Sequence, residues 1–161
     1  MICNTRGLVT LVIFLGIFAS VQADDVNDVS VALNKFFSLF EYDCPTWVKV
    51  FEKGATFAHP KFLDGITGTQ ALIDFCGKAQ AVTQVQEFRQ DGGAMVTAQG
   101  DFLHVLVRYV YAPVDADKYY INSGFYSIKM SRSPGGLRIL SVVESLTRDA
   151  LSYAWPANRW L

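Results

Sequence analysis

The chain has 161 residues, with 14 Lys and Arg against 15 Asp and Glu, and 14% of it is aromatic. That length favours a single domain. With a net charge of −1 and no run of Lys or Arg, it lacks the basic stripe that a nucleic-acid partner requires.

Residues 1–23 read as a secretory signal peptide. Arg6 supplies the one early charge, Leu8–Phe18 is apolar apart from Thr10 and Gly16, and Val21-Gln22-Ala23 offers modest side chains for cleavage. The apolar run is too short to cross a bilayer, which takes about 20 residues. Cleavage would leave 138 of the 161 residues, remove Cys3 and lower the net charge to −2. The mature chain is then expected to be secreted, with no membrane segment. Cys44 and Cys76 remain, an even pair in an oxidising compartment, which favours a disulfide over two separate buried thiols. The sequence has no Asn-x-Ser/Thr sequon.

Residues 24–41 repeat apolar side chains at three and four residues (Val26, Val29, Leu33, Phe36, Phe37, Phe40), which predicts an amphipathic helix. Asp24, Asp25 and Asp28 sit where its dipole favours negative charge. Asp43 and Pro45 open a second helix carrying Trp47, Val50 and Phe51 inward, with Gly54 past its end. A short strand at 56–59 follows, then a turn-rich crossing punctuated by Pro60, Gly65 and Gly68. Thr69 is placed to cap a third helix with Leu72, Ile73, Phe75, Cys76 and Ala79 inside.

From Thr83 the period changes to two. Strands are predicted at 85–90, 95–111, 119–130 and 137–147, with Asp91-Gly92-Gly93 as a hairpin and Gly100 as a bend inside a strand. In 103–111 the odd positions should meet the helices, leaving a half-apolar outer face suited to a homodimer. Helices followed by a strand meander indicate an α+β fold. Residues 153–161 form an aromatic tail.

The short strand Ala55-Thr-Phe-Ala-His-Pro60, the helix entry Gly68-Thr-Gln-Ala-Leu-Ile-Asp-Phe75 and the hairpin Gly135-Gly-Leu-Arg-Ile139 together resemble the nuclear-transport-factor-2-like superfamily, in its SnoaL-like branch. An aromatic usually stands in that pattern where this chain has Leu137. The resemblance covers nearly all of residues 24–152. It implies a cone, a curved antiparallel sheet wrapped on three N-terminal helices, with a pocket at the wide end. The superfamily includes isomerases, dehydratases and cyclases acting on hydrophobic carbonyl compounds, and many domains with no known reaction.

Such an enzyme needs a pocket base and donors for a developing oxyanion. His59, Asp101 and His104 are the candidates, each with a plainer alternative as a turn or surface residue. Asp64 fits a turn, and Glu144 is expected to alternate outward with Arg138 and Arg148. Two histidines at no ligand spacing do not make a metal site, and no cofactor is expected. Phe36, Phe40, Trp47, Phe51, Phe57, His59, Phe75, Tyr109 and Phe125 are the expected pocket lining. The favoured expectation is a non-catalytic secreted domain that binds a small apolar molecule. A SnoaL-like enzyme and an extracellular interaction module are the alternatives.

Overall fold

The computed structural model describes residues 21–40, 43–60, 62–82, 85–113 and 122–146. Most of the expected leader, the 153–161 tail and Arg148 lie outside them, as does the side chain of Asp64.

Helix α1 (Ala23–Phe40) buries Val29, Leu33, Phe36 and Phe37 as its stripe predicts. Val26, assigned to the same stripe, is 51% exposed, and Asp25 is buried instead. The Gln22 N–H donates to Asp25 Oδ2 at 3.0 Å, closing the first turn in the manner of a capping box. Arg132 grips the same carboxylate with two nitrogens, at 2.9 to 3.1 Å, and donates to the Gly100 carbonyl at 3.1 Å. The Gln22 N–H and then Arg132 hold this carboxyl below its ordinary range. The start of α1 is thereby clamped to the narrow turn at Gly100.

Helix α2 (Cys44–Trp47) passes directly into a 3-10 turn at Val48–Val50. Asp43 caps it, accepting from the Thr46 N–H at 2.9 Å. The expected helix through Lys53 is therefore cut short. Valines at 48 and 50 are stiff in a helix, and Phe51 is pulled into the core. Strand β1 (Phe51–His59) starts there, with Gly54 inside it rather than closing a helix. The crossing that follows holds a second strand, β2 (Phe62–Thr67), paired antiparallel with β1. Gly68 has a φ of +86°, donates to the Ala55 carbonyl and accepts from the Leu72 N–H at 3.1 Å. It occupies the capping place of helix α3 (Thr69–Val82) assigned above to Thr69, in a conformation only glycine adopts freely. Cys44 and Cys76 are bonded, their Cα atoms 5.7 Å apart, so α2 is fastened to α3.

The meander is β3 (Val85–Gln99), β4 (Phe102–Pro113), β5 (Asn122–Ser133) and β6 (Gly136–Leu146). Two glycine signals exchange roles here. Gly92, φ +84°, lies in a bulge inside β3, where pairing jumps from Gln90↔Tyr109 to Ala94↔Val107. Gly100, φ +58°, makes the turn to β4. A left-handed glycine serves a bulge and a tight turn equally well, so spacing alone does not separate them.

The sheet runs β2-β1-β6-β5-β4-β3, curved and unclosed. It is mixed rather than antiparallel throughout, because β1 lies parallel to β6 with Phe57 beside Val142. The helices cover its concave face. Leu103, Val105, Val107, Tyr109 and Tyr111 point inward as their alternation requires, while Leu106 and Arg108 point out. Phe36 is the hub of the core. Its ring lies 5.3 Å from Phe37, 5.5 Å from Tyr126, 6.0 Å from Phe51 and 6.4 Å from Phe88. Trp47 is fully buried and donates its indole N–H to the Phe36 carbonyl at 3.0 Å, so the ring brings no unpaired polar atom inside.

Candidate functional site

The register places one row of side chains across the concave face. On β1 and β6, Ala58 pairs with Val143, so the next residues, His59 and Glu144, are neighbours. On β5, Tyr126 is the direct partner of Glu144. Two residues back along β5, Gly124 stands opposite Tyr109 of β4. These four side chains meet at the carboxyl of Glu144.

Glu144 thus points inward, against the outward placement expected from strict alternation. The cause is a one-residue bulge. Met130 pairs with Ile139, but Lys129 pairs with Ser141, leaving Leu140 as the extra residue. Ahead of the bulge, odd residues such as Ile139 face the core. Beyond it, Val142 and Glu144 do, because a shift of one residue exchanges the two faces of a strand.

His59 Nε2 is 3.3 Å from Glu144 Oε2, with 10% and 7% of their side chains exposed, so little water screens this pair. The Tyr109 hydroxyl donates to Glu144 Oε1, and the Tyr126 hydroxyl reaches the same oxygen at 3.5 Å. The two phenol rings stack at 4.4 Å. Gly124 is what admits Tyr109. A Cβ there would fall 2.5 Å from the Ser145 carbonyl and 2.8 Å from two atoms of Tyr109. Phe75 of α3 stands 6.1 Å from the His59 ring, and Phe57 lies 5.1 Å from Phe75, so the wall beside the polar row is aromatic.

Burial raises the Glu144 carboxyl to about 7, the hydrogen bonds from Tyr109 and Tyr126 opposing that rise. Burial first, then the adjacent Glu144, pushes both tyrosines far upward, so they remain protonated donors. A carboxyl divided between its two protonation states near neutrality can accept or release a proton. Two phenols beside it can hold an oxygen on which charge develops, with the imidazole of His59 as a further proton carrier.

Of the residues singled out by sequence, the structure brings His59 and Tyr109 into this cluster. Phe36, Trp47, Phe51 and Phe57 are buried, and Phe40 and Phe75 are part-buried, packed ring against ring below it. Phe125 is 40% exposed on the convex face, because Tyr126, Ile128 and Met130 take the inward positions of β5. Asp101 is exposed in the turn after Gly100, and His104 lies on the outer face in register with Lys129. Neither joins the cluster. Glu144 and Tyr126 are the members that sequence reasoning missed. An even-numbered Tyr126-Ser-Ile-Lys-Met130 alternation could have found Tyr126, but nothing in the sequence marks the bulge that turns Glu144. Among the described residues, no three His, Cys, Asp or Glu side chains are grouped to hold a metal ion.

No family model and no curated protein matches the chain. Solved structures do. A point variant of Rv3472 from Mycobacterium tuberculosis, a protein of unknown function, superposes with a TM-score of 0.72 at 17% identity, covering 85% of each chain. An NTF2-like protein with a cystatin-like fold from Novosphingobium aromaticivorans gives 0.63 at 14% identity, over 83% of this chain and 90% of that one. A Streptomyces avermitilis protein of the NTF2-like family, carrying a proposed dehydratase assignment, gives 0.63 at 16% identity, over 77% and 96%. The chain has the NTF2-like, cystatin-like fold.

Proposed function

We propose that this chain is a proton-transfer enzyme of the isomerase, dehydratase or cyclase type, acting on a small apolar compound that carries a carbonyl or an eliminable hydroxyl. The observation that carries the proposal is the convergence of His59, Tyr109 and Tyr126 on the buried carboxyl of Glu144. Glu144 takes the proton from carbon, and the phenols hold the oxygen that gains charge. The aromatic wall of Phe57 and Phe75 suits an apolar substrate. The proposed dehydratase assignment of the Streptomyces neighbour is consistent with that chemistry but, at its low identity, speaks for the fold.

The test is deuterium uptake. A panel of small cyclic and aryl ketones is incubated with the protein in D2O and followed by mass spectrometry. Exchange at the carbon next to the carbonyl is expected with the wild type and at least a hundredfold less with Glu144→Gln. A wild type no faster than this variant, yet still retaining an apolar molecule in native mass spectrometry, would establish the second reading, a non-catalytic carrier. The aromatic side chains beneath the cluster favour that alternative.

The Cys44–Cys76 bond is compatible with our proposal that the protein is exported, and no helix among the described residues is long and apolar enough to cross a membrane. We also propose that the convex sheet face pairs two copies. A cross-strand row there carries Met95, 69% exposed, Leu106, 41%, and Val143, 48%.

A further inference from the structure

Away from the cone, α1, the 3-10 turn and the β5–β6 hairpin enclose a groove of about 460 Å³. Its lining is apolar along α1 and at the hairpin, with Val31, Leu39, Val50 and Leu137. Lys35, Lys49 and Arg138 also line it, against the single acid Asp28. Among the described residues, none of these three cations has an ion pair. Arg138 donates from Nη1 to the Lys49 carbonyl, which fixes the guanidinium while Nε and Nη2 make no hydrogen bond to any described residue. A neighbouring depression shares Lys49 and Arg138 and adds Lys53 and Glu52, so Lys49 and Arg138 stand where the two hollows meet.

We infer that this groove binds an amphipathic carboxylate, its alkyl chain along α1 and its head on Arg138 and Lys49. The fork of an arginine with two free donor nitrogens matches a carboxylate geometrically. The apolar strip beside it excludes a fully hydrated small anion as the best occupant, and the excess of cations disfavours a neutral or cationic amphiphile. Nothing in this depends on the chemistry proposed for Glu144, since the two sites share no residue.

The experiment titrates dodecanoate, below micelle formation and at low salt, into the isotopically labelled, oxidised full chain, read by amide NMR. Saturable shifts are expected at Val31, Leu39 and Leu137 and not at Gly124. Dodecanol should bind at least tenfold more weakly. Arg138→Gln should weaken dodecanoate at least tenfold, and so should the double variant Lys35→Gln/Lys49→Gln, whose two positions are exposed and carry no side-chain hydrogen bond to any described residue. Shifts centred on Gly124, equal binding of dodecanol, an absence of saturable shifts, or occupation by an acidic amphipathic peptide but not by dodecanoate would each overturn the assignment.

Discussion

Glu144→Gln isolates the energetic consequence of burying a carboxyl among two phenols and an imidazole. In the unfolded chain this acid ionises near 4.5, whereas in the fold it does so at about 7. Between those values the native state holds a proton that the unfolded state has released. Stability is therefore full below the lower value and falls as pH rises through the upper one. A difference of about 2.5 units at 1.36 kcal/mol each corresponds to about 3 kcal/mol. Glutamine keeps the shape, accepts from Tyr109 and carries no titrating proton. Urea unfolding, followed by tryptophan fluorescence from pH 4 to pH 9, should show the wild type losing about 3 kcal/mol more than the variant across that range. The variant should therefore be the more stable of the two at pH 8, relative to their standing at pH 4. Parallel pH profiles would refute the reasoning, because they would mean that Glu144 ionises in the fold as it does in water.

Gly124→Ala should be destabilising by about 1–3 kcal/mol, since its methyl group must displace the Ser145 carbonyl or the Tyr109 ring. Thermal melts would measure the loss, and near-UV dichroism should report an altered tyrosine environment. Replacing Cys44 and Cys76 together by serine should lower stability by about 3–4 kcal/mol on the chain-entropy model, read as a lower urea midpoint; an unchanged midpoint would show that the cross-link constrains little in the unfolded chain. Leu106→Lys with Val143→Lys should convert a dimer to a monomer in light scattering while leaving the melting temperature of the dilute protein unchanged. A wild type that is monomeric at high micromolar concentration would remove the sheet-face pairing.

What the sequence exposed follows the strength of each periodic signal. The odd positions of 103–111 are legible because each carries a large apolar group, and so is most of the α1 stripe, although Val26 faces out and Asp25 is buried. The disulfide was legible through compartment and count, although spacing could not rule out two thiols. Three things were hidden, and for one reason: each turns on a backbone irregularity of a single residue. Gly92 and Gly100 are chemically identical signals with opposite roles, and Leu140 gives no outward sign of being the extra residue in β6. Phe51 shows the other kind of failure, where tertiary burial overrides a weak helical preference. The catalytic candidate fell into this blind spot. His59 and Tyr109 are visible, but strict alternation assigns their shared acid to the opposite face.

The parallel seam between β1 and β6 has a consequence for how the molecule comes into being. Among the described strands His59 belongs to the first made and Glu144 to the last, and no local hairpin can bring them together. The seam joins segments about 85 residues apart, and closing so long a loop slows folding relative to a local meander. A chain lacking β6 would lose the strand that joins β1 to β5, and with it the acid that pairs with the imidazole. The candidate cluster is therefore complete only once β6 has been made, after every other described strand.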